Sequence, residues 1–163
     1  MTPHDGAEAD ARYQQLGIPG LLRLARRAYG NAVRAALAES GFDDMPRNGA
    51  YLLARVYDGR YAVADLIRGL GISKQAVSQL VDTMVTRGYI ERKPDPDDRR
   101  RMQLTLTVRG EAAATVSWQA ATRTDEELER RLAADGVDAL RHGLIALCEM
   151  SDAELATPEP DAD

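Results

Sequence analysis

The chain has 163 residues, 44% of them hydrophobic but only 5% aromatic, and a formal net charge of -5. That length holds one domain with a sizeable core or a small lobe on a helical platform, and the abundance of Ala, Leu and Arg favours helix over an all-β fold. A single cysteine, Cys148, rules out an intramolecular disulfide framework, and with only His4 and His142 there is no Cys/His zinc cluster.

Residues 1–14 are small, polar and acidic without periodicity, and read as a disordered arm that lacks the apolar stretch of a signal peptide. No apolar run approaches the roughly 20 residues of a membrane span, so the expected location is the cytoplasm and no membrane partner is expected. The net charge is unevenly placed. Residues 1–11 and 149–163 carry nine acids and no Lys or Arg, leaving a body with 21 basic against 17 acidic residues. Binding to a polyanion depends on the local field of the contacting face, so the acidic total is weak evidence against it.

From Ile18 a first helix is expected, with Pro19 in its first turn, an apolar stripe from Leu21 to Leu37, and Arg23, Arg26, Arg27 and Arg34 outside the stripe. Gly41 ends it. One small chain offers so apolar a helix no obvious cover, and pairing with a second copy is the simplest solution. A second helix is expected from about Pro46 to Tyr57, capped by Asp43 or Asp44, with Arg47 and Asn48 in its first turn. Backbone N–H groups there could meet a phosphate, although an exposed Arg more often does nothing measurable. Asp58-Gly59 marks a turn, and Arg60 to Ala62 reads as a short strand.

Val63 to Gly69 forms a supporting helix with Leu66, Ile67 and Leu70 inward, followed by a turn at Leu70-Gly71 and Ser73 as N-cap of the next helix. In that helix Ile72, Ala76, Val77, Leu80, Val81, Met84 and Val85 recur at spacings of three and four and form a buried face. The opposite face holds Ser73, Lys74, Gln75, Ser78, Gln79, Asp82 and Thr83. A merely solvated face would more often carry Glu and Lys pairs. Short hydrogen-bonding side chains with one Lys suit a helix that meets base edges in the major groove.

Arg87-Gly88 closes this helix, and Tyr89 to Lys93 and Met102 to Leu106 are β-prone runs around the charged loop KPDPDDRRR. Such a loop can be an ordinary soluble turn. Three arginines behind three aspartates, directly after a groove-reading helix, point instead to a wing whose Arg enters a narrow minor groove. Thr107 can cap a helix to about Ala133, with Ala112, Val116, Ala120, Leu128 and Leu132 buried. Asp135-Gly136 breaks it, and Val137, Leu140, Leu144, Leu147 and Cys148 line a final amphipathic helix that would pair with the first to form a dimer platform.

LGISKQAVSQLVDTM, then RGYIERKPDPDDRR, then LTVRG resembles the MarR (multiple antibiotic resistance regulator) family, whose pattern has a DPxDRR wing tip and an LTxxG exit. The likeness covers roughly residues 60 to 110. It implies a winged helix-turn-helix lobe on a helical dimerisation platform, mainly α with a small two- to three-stranded β wing, in the order helix, helix, strand, helix, helix, strand, wing, strand, helix, helix. The expected division is an arm at 1–14, a dimerisation helix and connection at 15–45, the DNA-binding lobe at 46–107, linker and dimerisation helices at 108–151, and a disordered acidic tail at 152–163.

The resemblance also implies function: a homodimeric, sequence-specific regulator of transcription, most often a repressor, bound to a pseudopalindrome in double-stranded DNA and released by a small aromatic or phenolic effector. The DNA-binding residues expected are Arg47, Ser73, Lys74, Gln75, Ser78, Gln79, Thr83, Arg99, Arg100 and Arg101. Arg100 matches the family's minor-groove arginine and Asp98 the carboxylate that holds it, with the register open by one residue. Tyr29, Tyr51, Tyr57, Trp118 and His142 are aromatic groups available to an effector pocket, and core packing explains each equally well. Two other readings stay open. Cys148 could sense oxidants, although a buried inert thiol is commoner on an apolar stripe, and the lobe could dock a protein instead of DNA. No Gly-rich phosphate loop, nucleophile elbow or metal motif appears, so neither an enzyme nor a cofactor or metal is expected.

Overall fold

In a computed structural model, described for residues 13–59, 63–94, 102–132 and 135–156, the chain forms six helices and a two-stranded sheet. In order these are α1 (Ile18–Glu39), α2 (Gly49–Tyr57), α3 (Val63–Leu70), α4 (Lys74–Thr86), β1 (Ile90–Pro94), β2 (Met102–Leu106), α5 (Val108–Arg131) and α6 (Gly136–Ala156). This is the expected mainly α order among the described residues. The strand expected at Arg60 to Ala62 lies outside them, as do the arm at 1–12 and the tail from Thr157.

The chain divides into two compact units, residues 1–121 and 122–163. In the first, one core joins Leu37 of α1, Leu52, Leu53 and Val56 of α2, Leu66 and Leu70 of α3, Val77, Leu80, Val81 and Met84 of α4, and Tyr89, Ile90 and Ala113. The spacing of three and four in α4 is why four of its side chains reach that core together. Val33, Ile72 and Val85 are half-buried against it.

The winged hairpin is antiparallel, with Ile90 opposite Leu106 and Pro94 opposite Met102. Its root is held by Thr107, whose backbone N–H donates to the Tyr89 carbonyl (3.1 Å) and whose hydroxyl donates to the Gly88 carbonyl (2.5 Å) and accepts from the Gly110 N–H (3.0 Å). Thr107 thus caps α5 as expected and locks the hairpin to it. At Gly110 a Cβ would lie 1.9 Å from the Tyr89 carbonyl oxygen, so helix and strand meet at a distance only glycine permits.

Two local expectations change. The second helix begins at Gly49 rather than Pro46, because Asn48 takes a left-handed conformation (φ 68°) and the Gly49 N–H closes a turn onto the Pro46 carbonyl at 2.8 Å. Along α5 the buried side runs through Gly110, Ala113 and Ala120; of the other residues expected to be buried, Val116 and Leu128 are half-buried and Ala112 and Leu132 exposed. In the 122–163 unit, Leu140, Leu144, Leu147 and Cys148 of the expected apolar stripe of α6 are exposed on the single chain, and Val137 is half-buried. Among the described residues no helix is long and apolar enough to cross a membrane.

Candidate nucleic-acid interface

Gly71 (φ 63°) turns the chain between α3 and α4, and Ser73 then starts α4 with its Oγ accepting from the Ala76 N–H at 3.2 Å. That cap leaves the Ser73 hydroxyl proton available to an outside acceptor. Lys74, Gln75, Ser78, Gln79 and Asp82 follow on the exposed face. Thr83 is half-buried and donates its hydroxyl to the Gln79 carbonyl at 2.7 Å, so it can offer an incoming group only its lone pairs. The structure therefore gathers the expected residues of α4 on one surface, with Thr83 at its edge.

Arg47 stands apart from them. It is exposed in the turn before α2, not in the first turn of the helix, because Asn48 delays the helical start. Arg47 therefore lies ahead of the helical N–H groups expected to reinforce a phosphate contact, and offers its own guanidinium. Asp98, Arg99, Arg100 and Arg101 lie outside the described residues.

At the base of the wing, Arg92 of β1 donates to Asp82 Oδ1 at 2.6 Å, tying the wing to the outer face of α4. Asp82 would otherwise repel a phosphate backbone, and Arg92 offsets that charge where the two elements meet. Both groups are well exposed, so the pair stabilises the fold only slightly and its value is positional. Lys93 pairs with Glu91 at 2.7 Å on the same strand.

A second polar cluster holds the far end of α4. Asp44 Oδ1 accepts from the Tyr89 hydroxyl at 2.5 Å and from Arg109 at 2.8 Å, Arg109 also donates to the Arg87 carbonyl at 2.6 Å, and Arg87 donates to the Asp44 carbonyl. The Arg109 guanidinium lies 4.3 Å from the centre of the buried Tyr89 ring, and Phe42 packs tilted on the same ring at 6.2 Å. Burial, then the Asp44 carboxylate, push the Tyr89 phenol up to about 12. The Tyr89 hydroxyl, followed by Arg109 and Arg87, holds the Asp44 carboxyl below its ordinary value. Asp43 or Asp44 was expected to cap α2, but Asn48 stands at the N-cap, and Asp44 instead braces the loop before α2, the end of α4 and the start of α5. The contacts of Arg92, Arg87 and Arg109 carried no sequence signal, because their partners lie 10, 43 and 65 residues away.

On another side of the same unit a groove of about 880 Å³ opens between α1, α2 and α5, floored by Ala50, Ala54, Ala114 and Ala121. Of the aromatic candidates, Tyr57 and Trp118 line it. Tyr51 packs against the core, its hydroxyl over Gly69. Tyr29 is half-buried on α1, and His142 belongs to the 122–163 unit. Among the described residues no group of His, Cys, Asp and Glu could hold a metal ion.

Residues 43–101 match the model of the MarR family, a span that covers the turn before α2, the helix pair and the wing. Over that span the winged lobe resembles the MarR family. The multiple antibiotic resistance protein MarR of Escherichia coli (strain K12) is 30% identical over 79 residues, 48% of this chain and 55% of that protein. The chain thus spans about half the length of the curated relative it matches. The fold is also that of solved MarR structures. The reduced form of MarR from E. coli superposes with a TM-score of 0.63 at 22% identity, covering 81% of this chain and 96% of the other. A mutant MarR from E. coli complexed with operator DNA gives 0.62 at 23% identity, covering 80% and 94%. MepR of S. aureus bound to ethidium bromide gives 0.53 at 16% identity, covering 84% and 98%.

Proposed function

We propose that the protein is a sequence-specific double-stranded DNA-binding regulator of transcription, acting as a homodimeric repressor that a small-molecule effector releases. The observation that carries this reading is the outer face of α4. Ser73, Lys74, Gln75, Ser78 and Gln79 stand exposed on the first two turns of the second helix of a MarR-family helix pair. Those are the turns that enter the major groove in helix-turn-helix docking. The operator-bound MarR mutant has the same fold and supports the same use of it.

Dimerisation is supported by apolar side chains that the single chain leaves uncovered, Ile18, Leu21 and Leu22 on α1 and Leu144, Ile145 and Met150 on α6. Residues 15–45 and 108–151 would supply the platform and 46–107 the reading lobe. In the dimer two copies of α4 reach successive major grooves, and Arg100, steadied by Asp98, reads a flanking minor groove while Arg99 and Arg101 contact phosphates. An effector in the groove beside Trp118 would act by favouring a spacing of the two lobes that fits DNA poorly.

Selection of bound sites from random duplexes with the purified protein tests the reading. The expected result is a pseudopalindrome with half-sites about 10 bp apart, centre to centre. Failure to enrich any palindromic sequence overturns it, and binding to a protein with no salt-steep affinity for duplex DNA would favour a protein-docking lobe. Replacing Arg99, Arg100 and Arg101 singly by Ala should give one dominant loss of affinity. Three equal small losses would mean a general phosphate patch.

The exposure of Cys148 on the single chain favours one second reading, an oxidant-sensing regulator of the same fold. Unchanged release by peroxide in Cys148→Ser removes it.

A further inference from the structure

The groove between α1, α2 and α5 has a chemical sign. Its floor is alanine, which leaves room for a flat or branched apolar body, and its sides carry the exposed rings of Tyr57 and Trp118. Two carboxylates, Asp58 at the end of α2 and Glu111 in the first turn of α5, complete the lining. Among the described residues no Lys or Arg lines the groove, and neither carboxylate has an ion-pair partner. Asp65, Asp44, Asp82, Glu91 and Glu127 are by contrast all paired with a basic side chain.

We infer that this groove binds small lipophilic aromatic cations and rejects phenolates and carboxylates of the same size. Two unpaired negative charges over an apolar floor concentrate field lines in the cleft, and ring faces carry the negative part of the aromatic quadrupole. Both effects attract a cation and repel an anion, while apolar burial acts on either alike. Along α5, Glu111, Thr115 and Trp118 lie on successive turns of one face, so charge, hydroxyl and ring address the same ligand. The inference rests on the proposal that the groove is the effector site only for its regulatory consequence, since binding itself needs no DNA.

Tetraphenylphosphonium and tetraphenylborate test it, being nearly the same shape with opposite charge. Trp118 is the only tryptophan, so its fluorescence reports on the groove directly. With the full chain in the absence of DNA, the cation should quench Trp118 with an affinity at least about tenfold above that of the anion. Glu111→Gln, which removes an exposed and unpaired charge without touching the core, should reduce that preference, and Asp58→Asn combined with it should abolish it. Equal affinities, preference for the anion, no binding of either ion, or a preference unchanged in the double variant overturns the inference. Adding the cation to a protein–operator complex separates the two proposals. Cation binding without loss of operator affinity leaves the ligand class standing and removes the groove as the effector site.

Discussion

The two units treat their apolar side chains in opposite ways. From Ala36 to Ala120 the chain buries Leu, Val, Met and Ile around α4 and seals the cluster with Tyr89, whose hydroxyl and ring are both engaged. In α6, Leu140, Leu144, Ile145 and Leu147 are each 38% to 46% exposed, and Met150 63%. The contrast lies in what each helix packs against within its own unit among the described residues. In α4 an apolar stripe faces α3, α2 and β1, whereas α6 presents a similar stripe to solvent. The lobe's stability is thus internal, and that of the terminal helices is expected to depend on a second copy.

The sharpest way to break the comparison is inside the lobe, at Gly110. A Cβ there meets the Tyr89 carbonyl oxygen at 1.9 Å, a backbone atom that cannot rotate away. Gly110→Ala must separate α5 from the start of β1, and a loss of about 3 kcal/mol is expected. Urea denaturation followed by the tyrosine signal measures it. A change within error would mean that the hairpin root is looser than the Thr107 and Tyr89 hydrogen bonds imply.

Next in size is Leu144→Glu, placed on the uncovered face of α6. A charge in a dimer interface should weaken association by about 2 kcal/mol, more if both copies contribute the residue to one patch, while the lobe keeps its own core. Sedimentation velocity over a concentration series should show monomer where the parent is dimeric. A parent that is monomeric throughout, or a variant that stays dimeric, separates α6 from the platform.

Ser73→Ala sharpens the description of the lobe at a smaller scale. Its Oγ satisfies the Ala76 N–H, and loss of a Ser cap costs about 1 kcal/mol of stability. Since Ser73 also stands on the proposed reading face, Ser73→Asp separates the two roles: it restores the cap and should still impair DNA binding by adding negative charge. Full DNA affinity in Ser73→Asp would take Ser73 off the interface.

What could be read from the sequence follows the range of the forces. The α4 stripe, the Ser73 cap, the Gly71 turn and the Thr107 cap are all written within a few residues, and each appears where local pattern places it. Expectation failed where partners are distant or the pattern is weak. Asp44 looks like a local cap, but Tyr89 and Arg109, 45 and 65 residues on, compete for its carboxylate and win. In α5 the run Ala112, Ala113, Ala114 has no periodicity of its own, so it does not show that Ala113 rather than Ala112 joins Gly110 and Ala120 on the buried side. For α6 the amphipathic pattern shows which side is apolar but not that Leu140, Leu144 and Leu147 are exposed on the single chain. Arg92, a lone Arg on a strand, has no signature in the sequence, because its partner Asp82 lies on a different element.

The smallest expected effect belongs to the Asp44 brace and has a sign at each end of the pH scale. Folding lowers the Asp44 pKa from its ordinary 3.8, so the brace contributes above that value and is lost as pH falls through the folded one. Folding raises the Tyr89 pKa from 10.0 to about 12, so the neutral phenol's contribution is complete below pH 10 and disappears as pH climbs toward 12. Stability should therefore show a plateau between these limits, read from denaturation midpoints in a pH series. Asp44→Asn should flatten the acid limb by removing the group that titrates there. Tyr89→Phe removes the phenol and with it the alkaline limb, but it leaves Arg109 at 2.8 Å from the Asp44 carboxylate, so the acid limb should become shallower without vanishing. An acid limb unchanged in both variants would place the acid sensitivity on other carboxylates and reduce Asp44 to an exposed loop residue.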